Sequence, residues 1–207
     1  MSAFDPKRTS RPPLFRVSQI PAVITIKVAH SSACERVGQQ PELSMILGMS
    51  LGAFTILHVI ITLVAIGSGL IVVGGMFASH RLPVTTALFL LTTALTSVTG
   101  FLFPIHGLTP ALRVGILACV ILAVALFALY KEHLAGAWRW IYVITAVASL
   151  YLNVFVLVVQ SFVKVSALNA LAPTQSEPPF AITQAVVLAV FILIALIAGI
   201  KFRPAKV

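Results

Sequence analysis

The 207-residue chain carries 14 Lys and Arg against 5 Asp and Glu, a formal charge of +9, yet only 9% of its residues are charged and 59% are hydrophobic. A soluble domain gives about one quarter of its residues to charge, so this composition excludes an ordinary water-facing surface and calls for one that faces lipid. The basic excess does not read as a nucleic-acid grip, because no basic stripe with interleaved aromatics exists to hold phosphates. The length accommodates one helical bundle and no second domain.

Residues 1–44 differ in kind from the rest. Lys7, Arg8, Arg11, Arg16, Lys27 and Arg36 are spread among Pro, Ser and Gln with no sustained period of 3.6 or 2. The run Ile20–Val28 is too short to span a bilayer. No apolar segment with a small-residue cleavage site follows the charged stretch, so it does not read as a signal peptide. Two readings stay open: a disordered basic tail, or a segment left untranslated because synthesis starts at Met45 or Met49.

From Met45 onward the chain is five apolar stretches, at about residues 50–77, 84–103, 111–130, 138–162 and 182–200. A run of ~20 apolar residues crosses the ~30 Å hydrocarbon layer as a helix, since lipid offers no partner for a free peptide group. The expected fold is therefore all-α, an integral membrane bundle of five transmembrane helices over residues 45–207.

The first span carries Thr55, His58, Thr62, Ala65 and Gly69 at steps of three and four, one face of a helix. Small residues such as Gly69 let a second backbone approach closely, which is how membrane helices pack. The second span sets Thr85, Thr92, Thr96, Thr99 and His106 along a seam with Phe89 and Phe103 between them, and Pro104 and Pro110 bracket its exit loop. The third span is almost wholly aliphatic and reads as scaffold. Lys131, Glu132, His133, Trp138, Arg139, Trp140 and Tyr142 then form a charged, aromatic belt at headgroup level. The fourth span repeats the polar seam with Tyr142, Thr145, Ser149, Asn153, Gln160 and Lys164. Residues 166–180, rich in Pro, Ser and Thr, read as an ordered external loop, and the fifth span opens with Thr183 and Gln184 before turning aliphatic.

Arg81, the 131–139 loop and the terminal Lys201, Arg203 and Lys206 fall on one membrane face; Arg113 and Lys164 fall on the other. The positive-inside bias puts the first face in the cytoplasm, with the N-terminus out and the C-terminus in.

An amide such as Asn153 deep in hydrocarbon needs a partner. His58, Thr96, Thr99, His106, Asn153 and Gln160 all belong to the outer half of the membrane in this orientation, with Glu177 in the loop above them. They make the candidate ligand-binding set: His58 and Asn153 for fixed hydrogen bonds, Thr96 and Thr99 for a wall, His106 and Glu177 for the mouth of an outward-facing polar pocket. The competing reading is structural, because such groups often do no more than bond neighbouring helices at ~0.6 kcal/mol each.

A b-type haem held by His58 and His106, or a quinone contact, is the redox alternative, although the two histidines differ in depth. No nucleophile with a paired base, no intramembrane carboxylate pair and no phosphate loop is legible, so no catalytic residue and no resident cofactor are assigned. Cys34 and Cys119 form neither a disulfide framework nor a CxxC site. The leading functional expectation is a non-enzymatic module that binds a small or lipophilic ligand, or a partner subunit. The alternatives are the redox subunit and a purely structural subunit of a membrane complex.

The stretches TGFLFPIHGLTP (99–110), HLAGAWRWIYV (133–143), YLNVFVLVVQ (151–160) and APTQSEPPF (172–180) resemble those of small multi-pass inner-membrane proteins of proteobacteria. The likeness covers roughly Met45 to Phe202 and omits the basic tail. It implies a bacterial inner (plasma) membrane location and carries no activity with it.

Overall fold

The structure, a computed structural model, describes residues 45–46, 48–103, 107 and 109–203. The expectations for residues 1–44 and for His106 lie outside the described residues. A short antiparallel pair, β1 (Met45–Ile46) and β2 (Met49–Ser50), leads into α1 (Leu51–Phe77). Then come α2 (Pro83–Phe101), α3 (Pro110–Leu126) with a π-helical last turn at Phe127–Lys131, α4 (Trp138–Lys164), the short α5 (Ser166–Leu171) and α6 (Pro178–Lys201).

The helix ends follow from local chemistry. The Ser50 hydroxyl accepts from the Ala53 N–H at 3.3 Å and so caps α1, and Thr109 caps α3 in the same way through Leu112 N–H. Proline opens α2, α3 and α6, where its missing N–H has no intrahelical partner to lose. That rule moves the start of the last span. The Pro178–Pro179 pair starts the helix, so α6 begins four residues before Ile182; of residues 166–180, 166–177 are a short helix plus a turn and 178–180 already belong to α6.

Among the described residues, five helices of 27, 19, 22, 27 and 24 residues are long and apolar enough to cross a membrane. The protein is an all-α integral membrane bundle. α1, α2 and α3 follow one another in contact, α6 closes back against α1, and α4 touches all four of the other spans. α4 is accordingly the most enclosed: 44% of its most apolar stretch is buried, against 17% for α3 and 6% for α6. The aliphatic third and fifth spans thus face mainly outward, and the polar seams of α1, α2 and α4 turn inward.

Two close approaches hold the centre and one end. A Cβ added at Gly69 of α1 would lie 2.7 Å from Leu150 of α4 and 2.9 Å from the Phe89 ring of α2, so the absent side chain is what lets three helices meet. At the end where α6 finishes, an Arg139 guanidinium N–H of α4 donates to the Gly199 carbonyl at 2.9 Å and also reaches the Phe202 carbonyl. A cation there satisfies carbonyls that the helix end leaves free and sits at the negative pole of the helix dipole. The Arg203 N–H then donates to the Ser79 hydroxyl in the loop between α1 and α2 at 2.8 Å, tying the chain end to that loop.

Gly69→Ala is expected to lower thermal stability in detergent by about 1–3 kcal/mol through overpacking. Gly67→Ala, on the open face of the same helix with nothing within 4 Å of the added carbon, is expected to leave it unchanged or raise it slightly.

Candidate functional site

Three threonines of α2, Thr93, Thr96 and Thr99, recur at steps of three. Each step turns 300° round a helix, so the three hydroxyls fan across neighbouring partners instead of stacking on one. Thr93 meets α4, where the Asn153 amide donates to its hydroxyl at 3.2 Å. Thr96 lies 3.4 Å from the Thr62 hydroxyl of α1, a long contact. Thr99 meets His58 of α1, with Nδ1 2.7 Å from its hydroxyl oxygen. The Thr99 hydroxyl also lies 2.7 Å from the Leu95 carbonyl and 3.2 Å from the Thr96 carbonyl; with its one proton on either of them, Nδ1–H of His58 is the donor to Thr99. The Phe103 ring stands edge-on to His58 at 5.4 Å and to Phe54 at 5.1 Å.

His58, Thr96, Thr99 and Asn153 all lie along the α1–α2–α4 seam, but only His58 and Thr99 bond one another directly; Thr96 contacts Thr62, and Asn153 bonds Thr93. Gln160 is exposed on α4, two turns beyond Asn153. Glu177 folds onto its own turn instead of facing the seam. Its carboxylate accepts from the Thr174 hydroxyl at 2.8 Å and from the N–H groups of Thr174 and Ser176 at 3.1 Å each. His106 is outside the described residues. Gln184 of α6 donates to the Phe155 carbonyl at 3.3 Å.

Thr93, which the seam of Thr85, Thr92, Thr96 and Thr99 passes over, is the actual partner of Asn153 and is 1% exposed. The run Thr86, Phe89, Thr93, Ser97 at three- and four-residue steps carries the signal for it. Ser149 is also deeply buried, and its hydroxyl has no hydrogen-bond partner among the described residues.

A cavity of about 160 Å³ opens at the opposite end of the bundle. Its apolar floor is Val72 and Met76 of α1, Leu129 and Phe202; its polar wall is Thr86, Tyr130 and Tyr142, with His80 and Arg81 at the rim. Tyr142 is 2% exposed overall and still lines this space. Leu134 closes one side, held in a left-handed conformation at φ 61° directly after His133 at φ 48°. Consecutive non-glycine residues in that region cost on the order of 1–3 kcal/mol each and persist only where surrounding contacts hold them. Here the anchors are burial of the Leu134 side chain and its N–H bond to the Ala128 carbonyl at 3.1 Å. None of the seven residues singled out from sequence lines this cavity. Arg81 entered the sequence reading as a marker of orientation, and Tyr142 as part of the interfacial belt and of the fourth span's polar seam.

Among the described residues no three His, Cys, Asp or Glu side chains converge as a metal site. No protein-family model matches the chain, and no curated protein or solved structure matches it either.

Two outcomes check this geometry. A double-mutant cycle of Asn153→Leu with Thr93→Val should give a coupling of about 0.6 kcal/mol, and no more than about 1.7, in unfolding from detergent. Desolvation alone would raise the Glu177 carboxyl, but bonds from the Thr174 hydroxyl and from the backbone N–H groups of Glu177, Thr174 and Ser176 outweigh it and hold it below its ordinary value. A lowered carboxyl stabilises the turn fully above its unfolded value, and that contribution is lost as pH falls through the lower folded value. Hydrogen exchange at Thr174 and Ser176 N–H should accordingly accelerate, relative to intrinsic rates, as pH drops below the ordinary 4.5, and should be pH-independent on that scale in Glu177→Gln.

Proposed function

We propose that this protein is a non-enzymatic membrane module that binds a small lipophilic ligand. The site is the cavity between α1, α2 and the junctions of α3–α4 and α6, and not the His58 seam. The observation that carries this reading is the cavity's make-up: an apolar floor of Val72, Met76, Leu129 and Phe202 under a rim of hydroxyl, phenol and cationic groups. Sites for small molecules are commonly built this way, mostly apolar with a few placed polar groups. Its volume of about 160 Å³ is close to that of an engineered apolar cavity of ~150 Å³ that accepts benzene. It suits one ring or the end of one chain.

The seam of His58, Thr99, Thr62, Thr96, Thr93 and Asn153 then serves to lock three helices, leaving the cavity end to take the ligand. The orientation proposed is C-terminus cytoplasmic, supported by Arg81, Lys131, Arg139, Lys201 and Arg203 gathering at the cavity end against Glu132 as the one acid there among the described residues. The cavity then opens at the cytoplasmic leaflet. A bacterial inner-membrane location is proposed on the strength of the sequence resemblance alone.

The test is photolabelling of the full chain in nanodiscs with a diazirine-bearing single-chain amphiphile, mapped by peptide mass. Labels concentrated on Val72–Thr86 and Leu129–Tyr142, and reduced severalfold by the space-filling Val72→Phe, are the expected result. Label spread over the lipid-facing sides of α3 and α6, indifferent to Val72→Phe, would overturn the reading.

A further inference from the structure

We infer that the ligand of this cavity is an anionic amphiphile, a membrane lipid whose headgroup phosphate docks on Arg81 while the adjoining carbons enter the cavity. The inference rests on the reading of the cavity as a ligand site and adds the chemical class of what fills it.

Three observations meet at one place. First, the rim is cationic and hydrogen-bonding. Arg81 lies in the loop between α1 and α2 beside His80, and Tyr130, Tyr142 and Thr86 line the same cavity. A guanidinium presents a planar fork that matches two oxygens of a phosphate or carboxylate, and phenol and threonine hydroxyls add donors to the same anion. Second, the charge at this end is unbalanced. Arg81, Lys131, Arg139, Lys201 and Arg203 share it with the single described acid Glu132, and Arg139 is already spent on the carbonyls that end α6. Basic pockets between transmembrane helices on the cytoplasmic side are the places where phospholipid headgroups bind.

Third, the cavity is too small and too apolar for a polar solute. About 160 Å³ holds a group of roughly benzene size, bounded below by Val72, Met76, Leu129 and Phe202. An inorganic anion would leave that floor uncovered. A neutral lipid would make no use of the Arg81 fork. An oxyanion on an apolar stem satisfies both. The interfacial setting agrees, because Trp138, Trp140 and Tyr130 place this end of the bundle at headgroup depth.

The experiment is native mass spectrometry of the full chain released from detergent micelles containing equal amounts of phosphatidylglycerol, phosphatidylcholine and diacylglycerol. Phosphatidylglycerol is expected to be retained at least tenfold over diacylglycerol, with phosphatidylcholine, whose phosphate carries its own ammonium counter-charge, between the two. Arg81→Gln should reduce that preference to near unity, and Arg81→Lys, which keeps the charge and loses the fork, should leave an intermediate value. Arg113→Gln, at the other end of the bundle, removes the same charge and should change nothing. Millimolar inorganic phosphate or glycerol phosphate should fail to displace the lipid.

Equal loss of preference in Arg113→Gln would overturn the inference in favour of general surface attraction. Displacement by inorganic phosphate would overturn the lipid as the source of the anion. Retention of all three lipids alike, sensitive to Val72→Phe and indifferent to Arg81→Gln, would overturn the anionic class while leaving the cavity a lipophilic site. Retention of none would overturn both.

Discussion

Hydrocarbon offers no hydrogen-bond partner, and that constraint organises this protein. Backbone groups are satisfied within five helices, and side-chain hydroxyls first turn to their own helix. Thr62 bonds the His58 carbonyl at 2.8 Å, Ser68 the Val64 carbonyl at 2.6 Å, Thr92 the Leu88 carbonyl at 2.7 Å and Thr145 the Ile141 carbonyl at 2.7 Å. Such back-bonding removes the penalty of a hydroxyl in lipid without requiring a neighbour. Only groups that cannot close on their own helix are driven to the next one. His58, Asn153 and Gln184 are such groups: the first two end on threonines of α2, and Gln184 ends on the Phe155 carbonyl of α4. The polar residues therefore act as registers between α1, α2 and α4 more than as a lining for water.

That division leaves the two ends of the bundle unlike each other. Near the start of α1 the interior is closed by hydrogen bonds and by the Phe54–Phe103–His58 aromatic cluster. At the other end the interior is closed by larger apolar groups around a remaining space, and the α3–α4 turn is drawn inward by the buried Leu134. Arg139 keeps that end from fraying. By bonding carbonyls of the last turn of α6 it anchors a helix that otherwise buries only 6% of its apolar stretch in the protein. Without such an anchor α6 would rest on α4 and α1 through weak contacts alone, because lipid competes equally for apolar surface.

Much of this was legible from residue order. The lengths of the spans, the inward turn of the first, second and fourth, and the outward character of the third and fifth follow from apolar run length and from where Thr, Ser, His and Asn interrupt it. The boundary of α6 was misread because proline clusters usually mark loops, while at the first turn of a helix proline is favoured. Thr93 was missed for a related reason. A seam drawn at strict steps through Thr92, Thr96 and Thr99 overlooks that consecutive threonines face different neighbours in a bundle where one helix touches two others.

The amino-acid sequence by itself determined that this protein lives in a membrane, how many times it crosses, and which helices turn polar faces inward, since those properties depend on local hydropathy and helical period. Tertiary structure alone decided which polar groups meet and where space remains. His58 and Thr99 are 41 residues apart along the chain, and Thr93 and Asn153 are 60 apart, so their pairing depends on the approach that Gly69 allows between α1, α2 and α4. The cavity depends on five distant segments, Val72–Met76, His80–Thr86, Leu129–Leu134, Tyr142 and Phe202, arriving at one end together. A volume left empty by packing has no signature in any one of them.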